Sequence, residues 1–165
     1  MDICMLEWMG KNGAFVERMF RFFNIYARTY TSAYPMEGTD VELSSAAIQT
    51  LEAIVKAEGR MKMVDIAASM GITRGTFSNN VKGLMEKGYV TKEQSPDNHK
   101  EIYLQVTDQG KEAYGEYVDF IYDSCFREIF KRLDHIPEEY QQDMMAIFDT
   151  LADGFMAGGK RGKEH

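Results

Sequence analysis

The pattern of residues 62–106 limits the fold of this chain more than any other feature. Two helix-forming stretches separated by a turn at Gly71 are followed at once by two short segments in which apolar residues alternate with polar ones. The predicted helices span 63–70 and 73–87, and the predicted strands span 89–94 and 101–106. This order predicts a helix-turn-helix with a β-hairpin wing, an arrangement that can place its second helix in a DNA groove.

Long stretches with helical periodicity lie on both sides of this pattern, so the expected fold class is mainly α. A winged helix buries only part of their apolar faces, and the simplest cover is the same helices of a second subunit. We therefore expect one domain over 1–165 with three kinds of region. These are a helical dimerisation region at 13–33 and 107–156, a DNA-binding winged helix-turn-helix lobe at 44–106, and a disordered tail at 157–165.

Charge and composition exclude several classes of protein. The net charge is −7, yet residues 62–107 carry six basic and five acidic side chains and are less acidic than the rest. No run of about 18 apolar residues predicts a membrane span, and the N-terminus lacks the pattern of a secretory signal. Cys4 and Cys125 match neither a disulfide framework nor a zinc motif. We expect a cytoplasmic protein without metal or cofactor and, because no catalytic motif is visible, not an enzyme.

The second predicted helix has an apolar face and a polar face. Phe77, Val81 and Leu84 are spaced to reach the core, and Thr73 is placed to cap the first turn. The candidate DNA contacts in this helix are Thr73, Arg74, Thr76, Ser78, Asn79 and Lys82, none of which is acidic. Such side chains can hydrogen-bond base edges in the major groove. The alternative is a merely solvated face, but the turn, the cap and the hairpin occur together and favour DNA binding.

The segment from about 46 to 113 resembles the MarR (multiple antibiotic resistance regulator) family of winged helix-turn-helix regulators. The resemblance is carried by Asp-Ile-Ala at 65–67, Gly-Ile-Thr at 71–73, Ser78, Val81, the run 84–90 and the run 106–110. It implies a homodimer that addresses a pseudo-palindromic operator in double-stranded DNA through two recognition helices. Asn98, His99 and Lys100 at the wing tip complete the expected DNA contacts.

Two features depart from the family pattern. Family wings carry a basic pair at the tip, whereas this tip has only Lys100 as a firm positive charge. Its contact with DNA is therefore expected either to be weak or to depend on pH through His99. Gly75 and Gly83 lie inside the recognition helix, where each glycine costs about 1 kcal/mol relative to alanine. Gly75 either permits close approach to DNA or reflects neutral drift at an exposed position.

Regulators of this family respond to small ligands or to oxidants, and the resemblance implies the same here. Aromatic residues of the first and fifth predicted helices are candidates for the wall of a pocket for a small aromatic effector. They are Phe22, Tyr26, Tyr30, Tyr114 and Tyr117, although aromatics at this spacing also serve as core residues. The sequence thus predicts a ligand-modulated transcriptional regulator, more often a repressor than an activator. The alternatives are a winged-helix protein-interaction module without DNA binding and a redox regulator that senses oxidants through Cys4.

Overall fold

The computed structural model describes residues 7–36, 39–94 and 102–161, with side chains described from Trp8 to Ala157 within these ranges. By its internal contacts the chain divides into two compact units, Met1–Phe120 and Ile121–His165. In the described part of the chain, no helix is both long enough and apolar enough to cross a membrane.

The first unit holds five helices and two small antiparallel sheets. The elements are a 3₁₀ segment (Glu7–Asn12), α1 (Gly13–Thr29), β1 (Ala33–Pro35), β2 (Glu42–Ser44), α2 (Ser45–Ala57), α3 (Met63–Ser69), α4 (Arg74–Glu86), β3 (Val90–Gln94), β4 (Ile102–Val106) and α5 (Asp108–Ile121, whose last residue opens the second unit). In the sheets, β1 pairs with β2 and β3 pairs with β4. A mainly helical protein with a two-stranded wing is therefore confirmed. The β1–β2 ribbon was not predicted from the sequence.

The core of this unit lies where α2, α3, α4 and the base of the hairpin meet. Leu51, Phe77 and Leu84 have no exposed surface, and Ile54 and Val81 are almost as deeply buried. Burial of this kind contributes about 25 cal/mol for each Å² of apolar surface removed from water. The same buried core therefore stabilises the unit and holds α4 in place.

Local signals in the sequence fix the helix-turn-helix. Gly71 has a φ of 68°, a left-handed conformation that glycine adopts without strain. Its backbone N–H donates to the carbonyl oxygen of Ala68 at 3.0 Å, and Ile72 donates to Ala67 at 3.1 Å, so the bend keeps its hydrogen bonds. Ser44 caps α2 by accepting from the backbone of Ala47 at 3.2 Å. The predicted turn glycine is confirmed.

The second unit consists of two helices joined by a short turn. One π-helical turn (Tyr122–Phe126) leads into α6 (Arg127–Leu133), and α7 (Glu138–Arg161) follows. The side-chain amide of Gln141 donates to the carbonyl oxygens of Leu133 at 3.0 Å and Ile136 at 2.8 Å, which satisfies the end of α6. No described residue of this unit is buried.

Two helix boundaries differ from the sequence-based prediction. Within the region predicted as helical at 107–156, a π-helical turn interrupts the first helix where the N–H of Arg127 reaches back to the carbonyl of Tyr122. A one-residue insertion of this kind leaves the apolar stripes on either side intact, so periodicity does not reveal it. The last helix was predicted to end at 156 and instead extends to Arg161, since glycine lowers helix stability without forcing an end.

Candidate nucleic-acid interface

The exposed face of α4 is the centre of the candidate interface. Phe77, Val81 and Leu84 point into the core, and at about 100° per residue the opposite side of the helix carries residues 75, 79, 82 and 86. The side chains of Arg74, Thr76, Ser78, Asn79 and Lys82 are all exposed. The structure therefore brings the predicted residues of this helix onto one accessible surface and leaves the apolar residues inside.

This face also carries an acidic residue that was not among the predicted contacts. Glu86 lies one turn after Lys82, and its carboxylate is 3.8 Å from the Lys82 ammonium. Both side chains are largely exposed, so the pair contributes little to stability. It does offset the charge of Lys82, which leaves the N-terminal half of the helix as its more positive end.

Thr73 and Thr76 are engaged with each other at the start of α4. The Thr73 hydroxyl oxygen accepts from the backbone N–H of Thr76 at 3.1 Å, and the two hydroxyl groups lie 2.8 Å apart. This is the N-cap predicted for Thr73, and it is confirmed. Because the cap uses the Thr73 hydroxyl, Arg74, Ser78 and Asn79 are the better placed side chains for contacts outside the protein.

A positively charged cleft of about 460 Å³ adjoins this face. It is lined by Lys62, Met63, Val64, Arg74, Ser78, Lys92 and Ile102. These residues come from the start of α3, from α4 and from both strands of the hairpin. Three cations and no carboxylate line the cleft within the described residues, so it favours an anion such as a phosphate group.

Lys62 and Lys92 were not predicted as site residues. Lys62 precedes α3, and Lys92 lies opposite Leu104 in the hairpin, more than 25 residues away in sequence. The folding of the hairpin beside α3 and α4 brings them together with Arg74 and Ser78. Their positive charge within an otherwise acidic chain was the only feature of the sequence that could have identified them as site residues.

The base of the wing is fixed to the end of α4 by a small set of contacts. The Thr107 hydroxyl donates to the carbonyl oxygen of Gly88 at 2.7 Å and accepts from the backbone N–H of Gly110 at 3.0 Å. A Cβ atom added to Gly110 would overlap the carbonyl oxygen of Tyr89 and lie 2.9 Å from the nearest carbon of Val106. Only glycine at 110 therefore lets the first turn of α5 pack against the start of β3. The tip residues Asn98, His99 and Lys100 lie outside the described residues.

The five residues predicted to line a ligand pocket fall into two groups. On α1, the Phe22 and Tyr26 rings stack at 5.8 Å between centroids, and Tyr30 follows at 5.3 Å from Tyr26. On α5, the Tyr114 and Tyr117 rings lie 6.5 Å apart, and both pack against the core. Burial raises the pKa of the Tyr26, Tyr30 and Tyr114 hydroxyls above its ordinary value.

A cavity of about 350 Å³ on α2 and α3 lies beside both groups. Its lining consists of Gln49, Glu52, Ala53, Lys56, Ala57, Met61, Ser69 and Met70. The Gln49 side chain accepts a hydrogen bond from the Tyr30 hydroxyl at 3.4 Å and donates one to the Tyr26 hydroxyl oxygen. Glu52 lies close enough to Tyr114 to raise the pKa of its hydroxyl further. None of the five predicted aromatics lines the cavity itself.

Metal and redox sites receive no support from the described part of the chain. No group of three or more His, Cys, Asp or Glu side chains that could hold a metal ion occurs there. Cys125 is a free, half-buried thiol whose sulfur lies 3.6 Å from the carbonyl oxygen of Ile121. Cys4, the candidate oxidant sensor, lies outside the described residues.

A helix-turn-helix, a two-stranded wing and a cationic cleft between them define a winged helix-turn-helix protein. The family model described as "MarR family" matches residues 41–101. The chain is 22% identical over 135 residues to the HTH-type transcriptional regulator YkoM of Bacillus subtilis. This match covers 80% of this chain and 84% of YkoM. The chain thus resembles the MarR family of transcriptional regulators over residues 41–101.

Solved structures share the fold at low sequence identity. PcaV of Streptomyces coelicolor, a transcriptional regulator solved with its natural ligand, is 19% identical to this chain, with a TM-score of 0.61. The match covers 92% of this chain and 98% of the PcaV chain. FabT of Streptococcus pneumoniae, solved with DNA, is also 19% identical, with a TM-score of 0.60. This match covers 87% of this chain and 96% of the FabT chain. At this identity the likeness establishes the fold.

Proposed function

We propose that this protein is a homodimeric, sequence-specific DNA-binding regulator that represses transcription and is released from its operator by a small aromatic ligand. The observation that supports this most strongly is the joining of the exposed α4 face to the cationic cleft. Arg74 and Ser78 are exposed on α4 beside this face and also line the cleft, so adjoining surfaces can read base edges and hold the phosphate backbone. Such a regulator works in the compartment that holds the genome, which is the cytoplasm in a bacterium.

Exposed apolar side chains support the dimer. No residue of α1 is buried, and Phe15 and Phe22 expose more than half of their surface. In the second unit, Phe130, Phe148 and Phe155 expose 47%, 51% and 61% of theirs. A concentration of exposed large apolar side chains on a lone chain marks an interaction surface. We propose a second copy of the chain as the partner, because a two-fold dimer places two recognition helices on one side of a duplex.

Ligand control is proposed to act through the cavity on α2 and α3. Its floor of Ala53, Ala57 and Met70 suits an aromatic ring, and the Gln49 amide offers a polar partner. A ligand there would contact α3, which packs against the recognition helix. In a thermal-shift screen of small aromatic acids, a true effector raises the melting temperature and lowers the affinity for DNA. Ligands that raise the melting temperature without affecting DNA binding would contradict this part of the proposal.

Footprinting on the DNA upstream of the protein's own gene tests the central function. A dimer of this kind protects two half-sites of inverted sequence, centred about 34–36 Å apart along one face of the duplex. Size-exclusion chromatography with light scattering should give twice the mass of the chain. Protection of a single half-site by a monomer, or no protection, would contradict the proposal. Capture of a partner protein without any DNA would favour the interaction module instead.

Removal of the cleft lysines should weaken DNA binding without changing sequence preference. We expect Lys62→Ala and Lys92→Ala each to reduce affinity to a similar degree for operator and unrelated DNA, because a phosphate contact carries no base information. Each substitution removes one phosphate contact in each of the two subunits, so it should also reduce the slope of log K against log salt by about 2 for the dimer. Lys111→Ala is the control, since Lys111 pairs with Asp108 at 2.9 Å on α5 and lies outside the cleft. An unchanged salt slope in both variants would remove the cleft from the interface.

The two glycines of the recognition helix allow a test of close approach to DNA. A Cβ at Gly75 would meet only the Thr73 hydroxyl oxygen, at 3.8 Å, and a Cβ at Gly83 would meet nothing within 4 Å. Neither glycine is thus required by the packing of the protein. We expect Gly75→Ala and Gly83→Ala each to stabilise the fold by up to about 1 kcal/mol. Only Gly75→Ala should also weaken operator binding, and equal affinities of the two variants would indicate that no close approach occurs at position 75.

A further inference from the structure

One polar side chain is fully buried where α2 crosses the recognition helix. Thr50 has no exposed surface and is the only buried polar residue in the described part of the chain. The apolar core residues Leu51 and Ile54 of α2 and Phe77 and Val81 of α4 are likewise exposed by 1% or less. A hydroxyl group in such a place loses its hydration and is retained only with hydrogen-bond partners.

Thr50 finds those partners on both helices. Its hydroxyl donates to the carbonyl oxygen of Ala46 one turn earlier in α2 at 2.8 Å. The same oxygen accepts from the side-chain amide of Asn80 in α4 at 3.0 Å, and this amide lies 3.5 Å from the Ala46 carbonyl oxygen. The Asn80 amide nitrogen is therefore aimed at two acceptors of α2 across 30 residues of sequence.

A hydrogen bond at this crossing restricts the rotation of α4 about its axis, which the surrounding apolar contacts do not. Apolar packing tolerates small rotations of a helix because the hydrophobic effect has no preferred direction. A side chain extends about 6 Å from the helix axis, so a rotation of about 10° moves its tip by about 1 Å. A shift of that size is enough to misalign a two-bond contact with a base, whose hydrogen bonds require distances near 3 Å.

We propose that the Thr50–Asn80 pair fixes the rotation of α4 on α2, so that Asn80 is a positioning residue for base discrimination. Asn79, its neighbour, lies about 100° further around the helix on the exposed face and is the residue that faces DNA. Of the two adjacent asparagines, Asn79 thus faces outward and Asn80 faces inward to α2. The inference rests on the proposed function, because it concerns how the recognition helix distinguishes one sequence from another.

The test compares discrimination with stability in one double variant. In Thr50→Val with Asn80→Leu, both polar partners are replaced by apolar groups of similar size, which is close to neutral for folding. We expect the ratio of operator affinity to unrelated-DNA affinity to fall by about tenfold, a loss comparable to one mismatched base pair. Binding to unrelated DNA and its salt slope should stay at the wild-type level, because the phosphate contacts are intact.

Two further variants make the result specific. Thr50→Ser keeps the hydroxyl and should retain wild-type discrimination even if the double variant does not fold. Thr150→Val removes a hydroxyl that makes the same 2.8 Å bond to the carbonyl four residues earlier, but on exposed α7, and should change nothing. Unchanged discrimination in the folded double variant, or lost discrimination in Thr50→Ser, would overturn the inference. If the wild-type protein itself shows no preference for the operator, the proposed function fails, and the inference fails with it.

Discussion

Gly110→Ala should destabilise the protein by about 1–3 kcal/mol, the usual effect of forcing extra atoms into a packed site. The added Cβ would overlap the carbonyl oxygen of Tyr89, and that oxygen accepts the backbone N–H of Thr107 at 3.0 Å. Because the obstacle is backbone and not the end of a flexible side chain, the site has no simple way to relax. Either α5 or the start of the wing must move.

Gly115→Ala on the same helix is the matched control. A Cβ at Gly115 would meet nothing within 4 Å, so alanine there should stabilise α5 by up to about 1 kcal/mol. Urea unfolding of both variants at one protein concentration measures the two effects. DNA affinity should fall for the residue-110 variant alone, since the wing begins at Val90, directly after Tyr89. Equal stabilities of the two variants would show that the packing of α5 on the wing is not as described.

Arg74→Ala should weaken operator binding by about 1–3 kcal/mol, which corresponds to roughly 5-fold to 150-fold in affinity. Arg74 is the first residue of α4, is exposed, and lines the cleft together with Ser78 and Lys92. A guanidinium group at this position can form two hydrogen bonds with a guanine edge. The loss should therefore depend on sequence and should relax the preference at one base-pair position of each half-site.

Arg132→Ala serves as the control for charge alone. Arg132 lies in the second unit and pairs with Glu128 at 3.0 Å on an exposed surface, so its removal should change operator affinity little. Fluorescence anisotropy with the operator and with single-base variants of it distinguishes a base contact of Arg74 from a phosphate contact. A uniform loss over all sequences would make Arg74 a phosphate contact, and an unchanged affinity would remove it from the interface.

Local signals in the sequence predicted much of the fold because they act within a few residues. Gly71 at the turn and Thr73 at the helix start each need only their immediate neighbours to take their observed roles. The alternation of Ile102, Leu104 and Val106 predicted a strand that is present. The one-residue insertion at Tyr122–Phe126 escaped prediction because it leaves no mark in the apolar pattern.

The site was predictable on one helix and not across helices. Phe77, Val81 and Leu84 recur at helical spacing and mark the buried face of α4. The exposed face lies opposite them, because buried and exposed positions repeat with the same helical period. The contribution of Lys62 and Lys92 depends on how the hairpin folds against α3, and the contact of Asn80 with Thr50 depends on a crossing of two helices. Single-sequence periodicity holds no information on such tertiary contacts.

The salt dependence of binding to the protein's own upstream DNA tests most directly whether the α4 face and the cleft form a DNA interface. The cleft lysines Lys62 and Lys92 in each of two subunits would neutralise about four phosphates. The logarithm of the binding constant should then fall with the logarithm of salt concentration with a slope of about −4 between roughly 50 and 200 mM. The same DNA should bind about a thousandfold more tightly than unrelated DNA. A slope near zero, together with equal affinity for both duplexes, would contradict the account.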